Sequence, residues 1–275
     1  MRFANPVYLL LFLATLGSAT IPRYDTEGYK IHLSEDFRGP PGGVLQGDDW
    51  EVTDANVNGR RGVQLSGGDT MQLVPWKNGE WDRARATTRY TMTPKAGKRT
   101  MLETRIRFGS NPIENKQGFL AGLWISSEQC RHGVNMVGCG SLAVIQTYNG
   151  ILKSYSGAIC TTDRKAACRG VNTAVDVPNQ EWQIWRVVWD RTNSSWHEET
   201  ITWYLNGRQF DQVRAGLIAK TEAHKVHWDK LAAGPLMLDF LLDINDPITG
   251  PPNEKTREGF GSMMEVDYAV WYVSA

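Results

Sequence analysis

Residues 199–210 read ETITWYLNGRQF. Apolar and polar side chains alternate along the first half with period two, the signature of a half-buried strand. Asn206-Gly207 is the dipeptide of a two-residue hairpin turn, so RQF runs back beside TITWYL. The same alternation, bounded by Gly, Pro, Asn and Asp, recurs in TMLETRIRFG (100–109), GFLAGLWISS (118–127), WQIWRVVWD (182–190), LMLDFLLDIN (236–245) and MEVDYAVWYV (264–273). Only GLIAKTEAHKVHWDKLAAG (216–234) reads as a helical or irregular excursion. A chain with many short strands and almost no amphipathic helix is all-β, with two packed sheets.

No low-complexity linker or internal repeat divides the chain, and its 275 residues fit one large β domain. Lys plus Arg and Asp plus Glu both number 30, so nothing favours nucleic acid or an anionic membrane as a partner. The 11 Trp are the unusual count. Most are expected in the core, and the rest suit flat ligands, because an indole joins an apolar face to a polar N–H.

The first twenty residues, MRFANPVYLLLFLATLGSAT, place Arg2 before an apolar run, Val7 to Leu16, and then Gly17-Ser18-Ala19. That is the pattern of a secretory signal peptide over 1–19, too short to span a bilayer, with a mature domain over 20–275. No later stretch is long enough to be a membrane span, so the expected location is the secretory pathway or outside the cell. The four cysteines suit that compartment. Their spacing does not resemble a zinc site, and of the three possible connectivities the local pairs Cys130–Cys139 and Cys160–Cys168 are expected. Asn193-Ser194-Ser195 is an N-glycosylation sequon on an expected loop.

The order of these segments resembles the family-16 glycoside hydrolases, the laminarinases and lichenases. SEDFRG (34–39), GEWDRARATTRY (79–90), AGLWISS (121–127), the pair WQIWRVVWD and ITWYLNG, and MMEVDYAVWYV (263–273) each have a counterpart there, in the same sequence. The resemblance covers nearly all of the mature chain. It implies a concanavalin-like β-jelly roll sandwich of two antiparallel sheets with a concave groove.

The catalytic strand of that family has the pattern G-E-I-D-I-x-E. Here GCGSLAVIQTYNG (138–150) is the similar stretch. Gly140 matches the glycine, Ser141 stands at the nucleophile Glu, Ala143 at the helper Asp and Gln146 at the acid/base Glu. No other E-x-D-x-x-E stretch occurs in the chain. Retaining hydrolysis needs two carboxyls roughly 5–5.5 Å apart. A serine with no base is a poor nucleophile, and an amide gives up no proton. The scaffold is expected without its hydrolytic chemistry.

By alternation Ser141, Ala143 and Ile145 share one face, and the family's bulge would bring Gln146 round to the groove. The expected ligand contacts are Trp124, Ser126, Ser141, Gln146, Tyr148, Asn245, Trp81 and Arg85. For Trp124 core packing is the competing reading. In 236–245, Asp239, Leu241, Asp243 and Asn245 lie on one face, and Leu238, Phe240, Leu242 and Ile244 on the other. Buried acids are costly unless paired or used. Asp239 and Asp243 therefore either pair with arginines or cap loops, or one of them acts as acid or base. Arg83 and Arg85 are expected beside the groove, either on a solvated face or holding an anionic or enolic oxygen. His32, His132, His197, His224 and His227 form no trusted metal spacing. Neither a metal nor an organic cofactor is implied.

Two readings follow, the enzyme placed ahead of the binder because three changes on the catalytic strand fit repurposing and two acids face the groove. In one, orientation alone drives the chemistry, because holding two partners as near-attack conformers is worth about 7–11 kcal/mol. In size, leader and Trp-rich composition the chain resembles the secreted hetero-Diels–Alderases of fungal natural-product biosynthesis. These join a polyketide-derived quinone methide to a sesquiterpene, so the implied partners are apolar or aromatic small molecules. In the other, the protein is an inactive, lectin-like binder of β-glucan. A secreted structural protein with no ligand is a third, plainer possibility.

Overall fold

The computed structural model describes residues 28–54, 56–57, 59–133, 136–159 and 173–275. The expected signal peptide and the expected Cys160–Cys168 pair lie outside the described residues.

Two antiparallel sheets carry the fold. The front sheet has seven strands in the spatial order Thr173–Asp176, Lys153–Ile159, Ser141–Tyr148, Phe119–Ser127, Leu236–Ile244, Ala84–Thr88 and Trp50–Asp54. The back sheet has eight, built around Arg208–Arg214, Thr200–Leu205, Gln183–Asp190, Arg99–Phe108 and Met264–Ser274, with Met71–Leu73, Val63–Leu65 and Tyr29–Glu35 at its far side. Among the described residues helix is confined to short pieces, notably Ala215–Ile218 and Lys225–Ala232 inside the expected excursion. The architecture is the two-sheet sandwich that the alternation called for, and the β-jelly roll that the resemblance implied.

The hairpin turn forms as its dipeptide requires. Asn206 and Gly207 both take positive φ, 49° and 80°, which matches the twist of the flanking strands. Asn206 also ties the turn to the next strand, its side-chain oxygen accepting from the Ile184 amide at 2.9 Å.

Period-two faces meet between the sheets. Leu123, Ile125, Leu142, Ile145, Leu238 and Phe240 point inward from the front sheet, and Val187, Trp189, Ile201, Trp203 and Trp271 from the back. Each large side chain removed from water contributes about 1.5–3 kcal/mol. Trp203 reaches across the core, its indole N–H donating to the Ala143 carbonyl at 3.1 Å. Most tryptophans are thus spent on the core; Trp81, Trp124, Trp182 and Trp196 remain half-buried.

A β-bulge breaks the register at the centre of the front sheet. Leu123 pairs with Ile145, but Trp124 pairs with Ala143, leaving Val144 as the extra residue. Leu142 and Ile145 therefore both face the core, and the side chains after the bulge change face.

Candidate functional site

Directly opposed residues in a sheet share a face, so register alone lays out the outer surface of the front sheet as rows. The first row is Ile159, Ser141, Ser126 and Met237. The second is Gly157, Ala143, Trp124, Asp239, Thr87 and Glu51. The third is Gln146, Gly122, Leu241, Arg85 and Thr53, and the fourth holds Tyr148, Leu120 and Asp243. The bulge puts Gln146 on this face, as the resemblance implies.

Trp124 is half-buried and stands outside the core. Its neighbour Gly122 makes room for the indole. A Cβ on Gly122 would stand 3.4 Å from the Trp124 Nε1 and 3.0 Å from the Ile145 carbonyl oxygen. The pyrrole edge thus leans over Gly122 from the second row into the third. Beside it the Gln146 amide donates to the Tyr148 hydroxyl, and the Tyr148 ring meets Tyr155 at 5.3 Å. Burial pushes the Tyr148 hydroxyl up to about 12. In the first row the Ser126 hydroxyl donates to Ser141 at 3.1 Å.

The acids of this face are paired. Asp239 is fully buried and takes a two-pronged contact from Arg85, Nε to Oδ1 at 2.7 Å and Nη2 to Oδ2 at 2.5 Å. The Thr87 hydroxyl adds a third bond at 2.9 Å. Burial, the largest influence, pushes the Asp239 carboxyl up, while Arg85 and Thr87 pull it down. The same contact raises Arg85, which keeps its proton under all ordinary conditions, so the pair stands as guanidinium and carboxylate. Asp243 is 27% exposed and pairs with Arg83 at 2.8 Å. Of the two open readings, arginine pairing is the one both carboxylates adopt.

A strap roofs the first row. The connection from Ser127 to Ser141 is closed by the Cys130–Cys139 disulfide, with the Cα atoms 5.4 Å apart. The two cysteines pack on Met237 as a small apolar cluster. From the strap Arg131 reaches the Thr88 and Arg89 carbonyls at 3.1 and 3.2 Å and lies 3.8 Å from Glu51. Ser126, Ser141 and Met237 are buried beneath it, while Leu241, Asp243 and Tyr148 stay partly open.

Two expected contacts lie elsewhere. Trp81 packs edge-on against Phe119, a core-facing residue, with the ring centroids 5.3 Å apart. Its hairpin, Lys77–Asn78 and Glu80–Trp81, leaves the sheet before Ala84, so the ring settles on the core's rim instead of the groove. Asn245 is exposed with φ 61° and ends its strand as a turn residue beyond the fourth row. Arg131, Gly122 and Tyr155 belong to the face and were not singled out from sequence. Alternation in KSYSGAI marks Tyr155, whereas the reach of Arg131 depends on how the strap folds. Among the described residues no three His, Cys, Asp or Glu side chains gather as a metal site.

The fold has solved counterparts. The endo-1,3-beta-glucanase of Streptomyces sioyaensis is similar over 94% of this chain and 100% of its own, at 19% identity and a TM-score of 0.80. The endo-beta-1,3-glucanase of Pyrococcus furiosus matches over 90% of this chain and 95% of its own, at 14% identity and 0.64. The laminarinase catalytic domain of Thermotoga maritima matches over 89% and 98%, at 15% identity and 0.62. No protein-family model matches the sequence, and no curated protein matches it. At these identities the likeness is one of fold.

Proposed function

We propose that the outer face of the front sheet is a ligand groove without hydrolytic chemistry, and that the chain is a secreted, lectin-like protein that holds β-glucan or a similar glycan intact. One observation carries this reading. The strand Ser141–Tyr148 brings Ser141, Ala143 and Gln146 to the face, and the acids beside it, Asp239 and Asp243, are engaged by Arg85 and Arg83. A retaining glycosidase needs one carboxyl to attack and another to give a proton. Here no carboxylate is placed for either task. What remains is the Trp124 indole over Gly122, flanked by Gln146 and Leu241, a flat apolar platform with polar neighbours of the kind that receives a sugar ring. Solved structures of the same fold include laminarinases and endo-1,3-glucanases, which makes a glycan the natural occupant.

Compartment follows the same reading. Residues 1–19 serve as the signal peptide, 20–275 form the mature domain, and the Cys130–Cys139 bridge fits an oxidising environment. Asn193 is the glycan acceptor. It is exposed, and its side-chain oxygen accepts from the Ser195 amide at 3.0 Å.

A second reading is favoured by the neutral, partly apolar floor of Ala143, Trp124, Leu120 and Leu241. Such a floor suits a hetero-Diels–Alder cyclisation of a quinone methide with a sesquiterpene, which needs orientation and no covalent catalyst. Asp243 is then its acid or base, because Asp239 is sealed against Arg85. This reading stands second because both acids that would supply a proton are ion-paired.

Calorimetry on the purified mature protein separates the two. Binding of laminarin or lichenan oligosaccharides without release of reducing ends, weakened in Trp124→Ala, is the expected result. Affinity for flat terpenoid or polyketide ligands alone moves the assignment to the cyclase. Cleavage of the glucan would refute both.

A further inference from the structure

Among the described residues, charge on the groove face cancels pair by pair. Arg85 is clamped by Asp239, Arg83 by Asp243, and Arg131 of the strap lies beside Glu51. Three cations thus stand against three carboxylates over neighbouring strands. At the far edge Lys153 faces Asp176 at 3.7 Å in the same manner. A face designed for a phosphate, sulfate or uronate would leave a cation uncommitted, since anion recognition relies on an unshared guanidinium or ammonium.

Arg85 is the informative member. Its side chain is 40% exposed, while its partner Asp239 is completely buried. A guanidinium has five N–H donors in a rigid fork. The Nε edge is spent on Asp239, and Thr87 fixes that carboxylate from the side. The other three N–H groups make no hydrogen bond among the described residues, and the planar fork fixes their direction. Arg85 lies two strands from Gly122, over which the Trp124 indole leans, roughly 9–10 Å along the third row. That leaves space for one sugar ring on the indole and the next against the guanidinium.

We propose that Asp239 is a positioning residue that holds Arg85 as a charge-cancelled hydrogen-bond fork, and that the groove consequently selects neutral ligands bearing hydroxyl or ether oxygens over anionic ones. The assignment rests on the groove reading above and adds its selectivity. A neutral oxygen accepts from the free edge without displacing Asp239. An anion meets a guanidinium already satisfied and a buried carboxylate behind it, and like charges so placed repel.

The test is calorimetric titration of the mature protein with laminari-oligosaccharides and with the same oligosaccharides sulfated, at low and high salt. Wild type should bind the neutral form about tenfold more tightly or better, with little salt dependence. Asp239→Asn frees the Arg85 charge. Neutral affinity should fall, and sulfated affinity should rise about tenfold and become salt-sensitive. A residue that merely supports the fold would lower both affinities together. The double variant Arg85→Met/Asp239→Leu removes the pair without stranding a charge. It should lose neutral affinity and gain none for the sulfated form. Wild type that prefers the sulfated ligand, or Asp239→Asn that gains nothing for it, overturns the assignment alone. Wild type that binds neither form overturns the groove reading along with it.

Discussion

Replacing Arg85 with alanine should harm this protein far more than replacing its partner. Asp239 is fully buried, and among the described residues Arg85 is its one counter-charge in direct contact, with Thr87 as a further donor. Stranding one member of a buried pair costs about 3–5 kcal/mol. Arg85 is 40% exposed, so water can enter the space it vacates, and the lower end, about 3 kcal/mol, is expected. Asp239→Asn leaves a half-exposed guanidinium that water can solvate, a loss of about 1 kcal/mol. Urea denaturation at about pH 7 reads both differences. Acid adds a second signature. In Arg85→Ala the influence that lowers the Asp239 carboxyl is gone and burial, which raises it above its ordinary 3.8, acts nearly alone. The folded variant then binds more protons than the unfolded chain at mildly acid pH. Its stability deficit must therefore shrink as pH falls through that raised value towards 3.8. Equal costs for the two variants, or a deficit for Arg85→Ala that is the same at about pH 7 and pH 5, would refute the account of the pair.

Lys116 is nearly buried, donates to the Gly109 carbonyl and lines an apolar cavity with Phe119, Leu152, Val177 and Leu242; burial lowers its amine from 10.5 to about 8. The unfolded chain binds more protons between those values, so wild-type stability should climb across that window by up to about 3 kcal/mol relative to Lys116→Met, and parallel pH profiles would contradict it. Removing the strap's bridge with Cys130→Ser/Cys139→Ser should lower stability by about 3 kcal/mol and speed amide exchange at Ser126 and Met237, whereas unchanged exchange would mean that Arg131 alone holds the roof down.

The fold was legible because its determinants are local. Alternation in Thr200–Leu205 and the Asn206-Gly207 turn are properties of consecutive residues, and so are the two faces of Leu236–Ile244. The face of Gln146 was reached only through the resemblance, since strict alternation from Ser141 predicts Ile145 outward, and the bulge at Val144 is set by pairing with the neighbouring strand. The acids show the same limit. Sequence placed Asp239 and Asp243 together but left two fates open. The choice between them depended on Arg85 lying opposite Leu241, a register between segments more than a hundred residues apart. Trp81 was misplaced for a similar reason, because nothing in GEWDRAR announces that its hairpin ends before the sheet begins.

The bulge at Val144 is a spacer that the strand's alternation skips. Ile145 to Tyr148 keep the parity they would have if Ile145 followed Ala143 directly. Substitutions there change what a ligand meets and leave the parity intact. That is how Ser141, Ala143 and Gln146 can vary in chemistry on an unchanged framework. Deleting Val144 would remove the bulge and set Ala143 and Ile145 as consecutive residues opposite Trp124 and Leu123. Gln146 and Tyr148 would keep the groove face, and Ile145 and Thr147 the core. Evolution on this strand is thus free in the alphabet, and in its length only at the bulge.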